Sequence, residues 1–179
     1  MGKMGRAKIM SLELEMDLAV SLADWQEAIP DIEGLCRRAA MATINTAAKD
    51  DLKNQAIEVG FLLTDDEAVQ ELNRDYRGKD KPTNVLSFAS QDGDDMAQPE
   101  DAPIILGDIV MAFETVVLES EEENKTIANH FCHLVVHGML HLLGFDHQND
   151  REAFEMESLE STILIELGIP DPYGDHPLS

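Results

Sequence analysis

Three histidines in the last third of the chain constrain its local fold more than any other feature. They are His137, His141 and His147, within the run H-G-M-L-H-L-L-G-F-D-H. Residues i and i+4 of an α-helix lie on the same face, so the first two rings can point to one place. Gly144 favours a left-handed turn at the helix end, which can bring His147 back to that place. The pattern predicts a helix, a tight turn and three imidazoles around one point.

These three imidazoles suit one Zn²⁺ ion with an open coordination position. Zinc held in this way lowers the pKa of a bound water molecule from ~16 to ~7. His130 and His133 belong to the same cluster, because five of the six histidines lie between residues 130 and 147. We expect His130 to be a hydrogen-bonded core residue, as single histidines on apolar helix faces usually are. His133 has three open roles, as a core residue of the same kind, as a ligand in another register or as a donor behind the ligands.

Hydrophobic periodicity predicts strands mainly in the first part of the chain and helices mainly in the last. Alternating apolar and acidic residues predict a half-exposed strand, and three apolar runs predict further strands. The four predicted strands cover residues 11–20, 57–64, 85–88 and 104–112. The third follows Pro82, which favours a place at or near a sheet edge. We predict a single-domain α+β fold in which a small mixed four-stranded sheet packs against about five helices.

Helix signals lie between and after these strands. The predicted helices cover 31–49, a segment from Thr64 through Leu72, about 114–123, about 126–143, and a last segment opened by Asn149. Thr64 with Glu67, and Asn149 with Glu152, have the spacing of helix-capping pairs. In the last helix an apolar stripe should face inward and Gly168 with Pro170 should end it. The stripe comprises Met156, Leu159, Ile163 and Leu167.

Length and composition suit one compact domain, since the chain has 179 residues and is 44% hydrophobic. We predict an N-terminal extension over 1–10, one domain over 11–170 and a C-terminal tail over 171–179. Residues 91–103 are rich in Asp, Gly and Pro, which favours a mobile acidic loop. Cys36 and Cys132 are predicted to be buried thiols in a reducing compartment. No run approaches 18 apolar residues, so we expect a soluble cytoplasmic protein without a membrane association.

The net charge of −23 repels polyanions and is the main feature against nucleic-acid binding. One stretch departs from it, R-D-Y-R-G-K-D-K over 74–81, where four basic residues outnumber two acidic ones. If the protein binds a phosphate group, we expect this basic stretch to bind it. The alternative is a solvated loop whose basic side chains pair with nearby carboxylates. Binding to DNA is not expected.

The histidine spacing H-x-x-x-H-x-x-G-x-x-H matches the zinc-binding run of the metzincin peptidases, glycine included. In those enzymes the residue after the first histidine is a glutamate that acts as general base. Here that residue is Gly138, which cannot accept a proton. The ligand set must therefore serve another reaction, or its base must come from elsewhere.

Three blocks of sequence resemble, in order and separation, the signature blocks of the YbeY family of metal-dependent endoribonucleases, also called rRNA maturation factors. They are Y-R-G-K-D-K-P-T-N-V-L-S-F over 76–88, L-G-D-I over 106–109 and H-L-V-V-H-G-M-L-H-L-L-G-F-D-H over 133–147. The resemblance covers roughly residues 55–173, including the D-P-Y near the C-terminus. It implies a metal-dependent hydrolase domain that cleaves single-stranded RNA in rRNA maturation and ribosome quality control, with the ribosome or ribosomal proteins as partners.

The resemblance also implies roles for individual residues. One Zn²⁺ ion would be held by His137, His141 and His147, and Arg77 would be a catalytic arginine facing the metal groove. The chain departs from many relatives at Ala89 and Ser90, where they have a proline, and at Asn84, where they have aspartate. We therefore assign no general base at Asn84. Asp108 and Asp146 are candidate partners behind the ligand imidazoles, although surface or capping roles suit them equally.

Two other functions stay open from the sequence. A metallopeptidase is suggested by the ligand spacing and weakened by Gly138. A ribosome-associated adaptor with a structural zinc is suggested by the acidic surface, which suits basic ribosomal proteins. The nucleophile, either a metal-activated hydroxide or the neighbouring 2′-OH of RNA, is not decided by the sequence.

Overall fold

The protein forms a mixed sheet of four strands, as predicted. The computed structural model describes residues 12–53, 55–90 and 102–173. Its strands are β1 (Glu13–Val20), β2 (Ala56–Thr64), β3 (Val85–Ala89) and β4 (Ile104–Ala112). Their order in the sheet is β1-β2-β4-β3, with β1, β2 and β4 parallel and β3 antiparallel to β4. The predicted third strand therefore does lie at an edge.

Seven helices surround the sheet within the described residues, and five of them have at least ten residues. The helices are α1 (Asp24–Ala28), α2 (Ile32–Ala47), α3 (Asp50–Lys53), α4 (Asp66–Arg77), α5 (Phe113–Glu122), α6 (Ile127–Leu142) and α7 (Asp150–Glu166). The five longer helices are the predicted ones, and the α+β prediction is confirmed. The short helices α1 and α3 have too few residues to show a helical period, which is why the sequence pattern did not predict them.

The helices cover the two faces of the sheet unequally. On one face α2, α6 and α7 enclose the main core, which includes Phe131, Met139 and Ile109 among its fully buried residues. On the other face α4 covers only the β3–β4 side, where Val69 packs in a smaller cluster with Val110 and its neighbours. The strands β1 and β2 therefore keep an exposed side on that second face, and α6 is held against the sheet by the main core.

Helix α4 begins one residue later than the sequence prediction. The predicted cap was Thr64, but Thr64 is the last residue of β2 and its hydroxyl accepts a hydrogen bond from Ser21 Oγ at 2.8 Å. The cap is Asp65, whose Oδ1 accepts the backbone N–H of Ala68 at 2.9 Å. Because Thr64 still belongs to β2 and its side chain contacts Ser21, the cap position falls on the next residue, Asp65.

Other local predictions are confirmed. Asn149 caps α7 by accepting the backbone N–H of Glu152 at 2.9 Å, and Met156 and Ile163 on its inward stripe are buried. Cys36 and Cys132 are buried free thiols. The predicted extension over 1–10, most of the predicted acidic loop, and residues 174–179 of the predicted tail lie outside the described residues. Where the chain is described, no helix combines the length and the apolar character needed to cross a membrane.

Candidate metal centre

Helix α6 carries the first two predicted ligands one turn apart. The rings of His137 and His141 have their centroids 4.7 Å apart, and their Nε2 atoms are 3.2 Å apart. Two nitrogens bound tetrahedrally to one zinc ion at 2.0–2.1 Å would be separated by about 3.3 Å. The helical spacing alone therefore aims both rings at one point.

The turn after α6 brings in the third ligand. Gly144 has a left-handed φ of 103°, and the backbone N–H of Phe145 donates to the carbonyl of Leu140 at 3.0 Å. These bonds reverse the chain direction at the helix end. His147 consequently returns to the first two histidines, with ring centroids 5.6 Å from His137 and 5.1 Å from His141. One nitrogen from each of the three rings lies within 4.8 Å of the other two.

Hydrogen bonds at the Nδ1 atoms fix the tautomers of two ligands. His141 Nδ1 lies 3.0 Å from the Phe145 carbonyl, and His137 Nδ1 lies 2.6 Å from Oε2 of Glu160. A carbonyl and a carboxylate only accept, so both Nδ1 atoms carry the proton and donate. Both Nε2 atoms are then acceptors that face each other, and a shared cation satisfies both. The three residues thus fit a divalent ion with nitrogen ligands.

The surroundings of His141 favour the neutral form of its ring, which is the form that binds metal. Burial lowers the pKa of His141, and repulsion from His137 and His147 lowers it further. Burial alone would raise the pKa of Glu160, but hydrogen bonds from His133 and His137 outweigh it and hold the pKa at about 2. The centre therefore combines His141, whose pKa is lowered, with an ionised Glu160 carboxylate that is hydrogen-bonded to His137.

Glu160 was missed by the sequence analysis. It lies on α7 with 1% of its surface exposed, four residues after Met156 and three before Ile163. Those spacings place position 160 on the inward stripe of the helix. A glutamate at an inward position is a signal for a buried hydrogen-bonded carboxylate, and it could have been found by extending the stripe to polar residues.

The other two histidines of the cluster stand behind the ligands. His130 is buried and its Nε2 lies 2.8 Å from Glu119, in agreement with its predicted core role. His133 Nε2 lies 2.9 Å from Oε1 of Glu160, and its Nδ1 faces Lys125 Nζ at 3.4 Å. His133 is therefore not grouped with the three converging histidines, and of its predicted roles it takes that of a donor behind them.

The two aspartates considered as partners of the ligands lie elsewhere. Asp108 is exposed on β4 and lies over Gly60, on the face of the sheet opposite to α6. Asp146 Oδ1 accepts the backbone N–H of His147 at 2.8 Å, which is a local turn bond. The partners observed for His137 and His141 are Glu160 and a backbone carbonyl instead. The Phe145 carbonyl belongs to the backbone, so side-chain types alone could not predict it as a partner of His141.

A groove of about 680 Å³ opens over the three histidines, and Arg77 lines it together with β3 and the turn after α6. Arg77 is the last residue of α4, and its Nη2 donates to the Ser87 carbonyl at 2.6 Å. Its guanidinium carbon lies 5.1 Å from the centre of the Phe88 ring. The guanidinium is therefore held against β3, in the groove that the three histidines also line.

The basic stretch over 74–81 divides into two parts. Arg74 pairs with Asp75 at 3.1 Å and Asp80 at 4.0 Å, so it matches the alternative of a solvated, paired side chain. Arg77 instead lines the groove. Asn84, also in the groove, donates to both carboxylate oxygens of Glu119 at 2.9 and 3.2 Å. That contact fixes the start of β3.

Gly138 occupies the closest approach between α6 and the sheet. A Cβ on this residue would lie 3.0 Å from Ile109 Cδ1 and 3.2 Å from Ser87 Oγ. Ser87 Oγ also donates to the Gly138 carbonyl at 3.2 Å. In metzincins this position carries the glutamate base. Here it faces the sheet, and glycine, which has no side chain, allows the helix and the sheet to pack closely.

A three-histidine centre on a helix packed against a mixed sheet, with an arginine in the same groove, defines a candidate metal-dependent hydrolase. The family model described as Endoribonuclease YbeY matches residues 22–168. The chain belongs to the YbeY endoribonuclease family.

Similar proteins cover almost the whole chain. A protein named Endoribonuclease YbeY from Paramagnetospirillum magneticum is 50% identical over 166 residues, which are 93% of this chain and 99% of the relative. The protein of the same name from Bradyrhizobium diazoefficiens is 46% identical over 96% of this chain and 93% of the relative. A solution structure of a Thermotoga maritima protein matches with a TM-score of 0.49 and 21% identity, covering 87% of this chain and 91% of that chain.

Proposed function

We propose that this protein is a zinc-dependent endoribonuclease that cleaves single-stranded RNA in the cytoplasm, in rRNA maturation and ribosome quality control. The observation that carries the proposal is the common groove of Arg77 and the three converging histidines. Membership of the YbeY family supports RNA as the substrate. The buried free thiols Cys36 and Cys132 suit a reducing compartment.

Zinc is proposed because the donor set consists of three imidazole nitrogens, a set typical of catalytic zinc sites with an open position. When bound, the ion supplies Lewis-acid stabilisation of a phosphodiester and can activate a nucleophile. His137, His141 and His147 would hold it. Glu160 and the Phe145 carbonyl keep two of these rings in the tautomer that presents Nε2.

Arg77 is the proposed catalytic residue that binds the reacting phosphate. A guanidinium has five N–H donors, so the bond to Ser87 leaves others for a phosphate oxygen. Its planar fork matches two oxygens on phosphorus and stabilises the charge that grows there in the transition state. The contact with Phe88 holds the guanidinium in place before the substrate arrives.

A preference for single strands follows from charge and shape. Duplexes carry one negative charge per ~1.7 Å of axis, so a protein with a net charge of −23 repels them strongly. A flexible single strand has a lower charge density and can bend into the recessed groove. Among the described residues that line this groove, Arg77 is the only Lys or Arg, so few phosphates are contacted there.

The metallopeptidase alternative is disfavoured by Gly138. A glutamate at this position would have its Cβ against Ile109 and Ser87, so the usual peptidase base has no space at that place. The Arg77 side chain in the groove suits a phosphodiester, whereas a neutral peptide bond gives it no charge to bind. Both observations favour the nuclease.

The nuclease proposal is tested by cleavage of a labelled single-stranded RNA by zinc-loaded protein. We expect Arg77→Ala to lower the cleavage rate by about 10²–10³-fold, in the range of lost oxyanion donors, while zinc binding is unchanged. His141→Ala should abolish both zinc binding and cleavage. Arg74→Ala is the matched control, because Arg74 lies on the same helix and is paired with Asp75.

Activity that survives both Arg77→Ala and His141→Ala would indicate a contaminating nuclease and overturn the proposal. Cleavage of an unstructured protein that stops after chelation would instead favour the peptidase.

Ribosomal proteins are proposed partners through the exposed side of the sheet. Glu15 and Glu58 are adjacent in the register of β1 and β2, and Asp17 and Asp108 flank Gly60 two pairs further along. We name these four residues the acidic sheet face. It lies opposite α6, so a Lys- and Arg-rich segment could bind there without blocking the groove.

The partner proposal is tested by co-sedimentation with ribosomal subunits. Glu15→Lys combined with Asp17→Lys should weaken association while cleavage of a short free RNA is unchanged. Glu155→Lys with Glu157→Lys, on exposed positions of α7, changes the net charge equally and serves as control. Equal association of both double variants would overturn docking at this face. Association that persists in a folded His141→Ala variant without any RNA cleavage by wild type would favour the adaptor.

A further inference from the structure

The buried carboxylate of Glu160 joins three donors from two other parts of the chain. Its Oε2 accepts from His137 Nδ1 at 2.6 Å. Its Oε1 accepts from His133 Nε2 at 2.9 Å and from the Tyr173 hydroxyl at 2.5 Å. A buried carboxylate is unfavourable unless such bonds replace its lost hydration. The three bonds therefore explain how Glu160 can stay charged with 1% of its surface exposed.

The direction of each bond is consistent along the network. Lys125 Nζ can only donate, so His133 Nδ1 accepts and His133 Nε2 carries the proton toward Glu160. Lys125 is itself held by Glu123 at 3.0 Å. His137 likewise donates from Nδ1 and keeps Nε2 for the metal. All donors point toward Glu160, and its carboxylate needs no proton of its own.

The proposed ligands His137 and His141 are hydrogen-bonded to different kinds of acceptor. His141 donates to a neutral backbone carbonyl, whereas His137 donates to a charged carboxylate. A carboxylate behind a ligand imidazole fixes the ring and makes its second nitrogen a stronger metal donor. His137 is therefore the ligand that Glu160 orients and strengthens.

We propose that Glu160 is a positioning residue of the metal centre, and that Tyr173 and His133 hold its carboxylate in place. This inference rests on the proposed metal site. It makes residues 171–173, which follow the last helix, part of the machinery that sets metal affinity. Asp171 supports this segment, because its Oδ1 accepts from Ser161 Oγ at 2.7 Å and from the Tyr173 backbone N–H at 2.9 Å.

The test measures zinc affinity by competition with a chromogenic chelator, independently of RNA cleavage. Glu160→Gln keeps the shape but places an amide NH₂ where a carboxylate oxygen accepted a bond. We expect zinc affinity to fall by about 10- to 100-fold, the usual effect of losing such a partner. Glu155→Gln is the control, since it removes the same charge from an exposed position of the same helix.

Tyr173→Phe gives a second arm that leaves the carboxylate and the ring in place. Removing only the hydroxyl should lower zinc affinity by about three- to tenfold, less than loss of the carboxylate itself. This variant carries the test if Glu160→Gln does not fold. Circular dichroism of the metal-free proteins shows whether each variant is folded at the temperature of the titration.

A purely structural role predicts a different result. Glu160→Gln and Tyr173→Phe would then lower the melting temperature of the metal-free protein, while the folded fraction would bind zinc as wild type does. Affinities within twofold of wild type for both variants overturn the positioning role. Failure of wild type to bind zinc would instead overturn the proposed function, so the two failures are distinguishable.

Discussion

Gly138 of α6 and Ile109 of β4 meet so closely that a side chain at position 138 would touch the sheet. A Cβ there would lie 3.0 Å from Ile109 Cδ1. Helix propensity favours alanine over glycine by about 1 kcal/mol, but overpacking costs about 1–3 kcal/mol. The contact with Ile109 therefore decides whether Gly138→Ala raises or lowers the free energy of unfolding.

We predict that Gly138→Ala lowers the free energy of unfolding by about 1 kcal/mol. Ile109→Val removes Cδ1, the nearest atom. The free energy of unfolding of the double variant should therefore be at least about 0.5 kcal/mol higher than the sum of the two single changes gives. Urea unfolding of the metal-free single and double variants measures both values. Strictly additive effects would show that Ile109 does not limit the space at position 138.

Phe88 is expected to affect cleavage through Arg77. Phe88→Leu removes the ring that lies 5.1 Å from the guanidinium carbon, a contact of about 0.5–1 kcal/mol at an exposed site. The cleavage rate should fall by about two- to fivefold with zinc affinity unchanged. Tyr76→Leu is the control, because Tyr76 packs on Phe88 with ring centroids 5.8 Å apart. A larger fall in the cleavage rate for Tyr76→Leu than for Phe88→Leu would mean that the effect comes from ring packing rather than from the contact with Arg77.

His130 should make the protein less stable in mild acid. Burial lowers its pKa below 6.5, although the hydrogen bond to Glu119 opposes this, and Glu123, Lys125 and His133 are the other charged or titratable groups nearby. The unfolded chain therefore binds a proton at this residue at higher pH than the folded protein does. The stability that neutral His130 contributes is present above pH 6.5 and is lost as the pH falls through the folded pKa.

His130→Gln should remove that part of the pH dependence, since glutamine can still donate to Glu119. Between pH 7.5 and 5.5 its unfolding free energy should fall less steeply than that of wild type. The slopes differ by at most about 1.4 kcal/mol per pH unit, the limit for one proton. Chemical unfolding of both proteins with chelator present measures this, and equal slopes would contradict it.

The salt dependence of RNA affinity should be weak. Of the groove-lining residues that the structure describes, Arg77 is the one Lys or Arg, and each phosphate neutralised on a single strand contributes about −0.7 to the log-log slope. For a catalytically inactive zinc-bound variant we expect a total slope between about −0.7 and −1.5. Fluorescence anisotropy at several salt concentrations gives the slope. A value steeper than about −3 would require a positive surface beyond the groove.

The sequence predicted the converging histidines because their geometry is local. Helical spacing sets His137 against His141, and a glycine at a helix end sets the return of His147, so neither needs knowledge of distant contacts. The strands and the long helices were predicted for the same reason. Arg77 entered the prediction through the family resemblance, and the structure adds its neighbours Ser87 and Phe88.

The remaining features depend on contacts between distant segments. Glu160 lies 23 residues from His137, and only the packing of α7 against α6 brings them together. Thr64 has the spacing of a helix cap, but it is the last residue of β2 and its hydroxyl contacts Ser21, 43 residues away. Periodicity describes one element at a time, and it does not show which polar groups meet when two elements pack.

The turn after α6 constrains the number of residues between His141 and His147 more than it constrains their side chains. Phe145 supports His141 through its backbone carbonyl, so many side chains at position 145 would preserve that bond. Gly144 has a left-handed φ, and the six-residue step from His141 to His147 spans the reversal. Apart from Gly144, whose left-handed φ favours glycine, this segment should therefore tolerate substitution, whereas a single inserted or deleted residue would rotate the third imidazole out of reach.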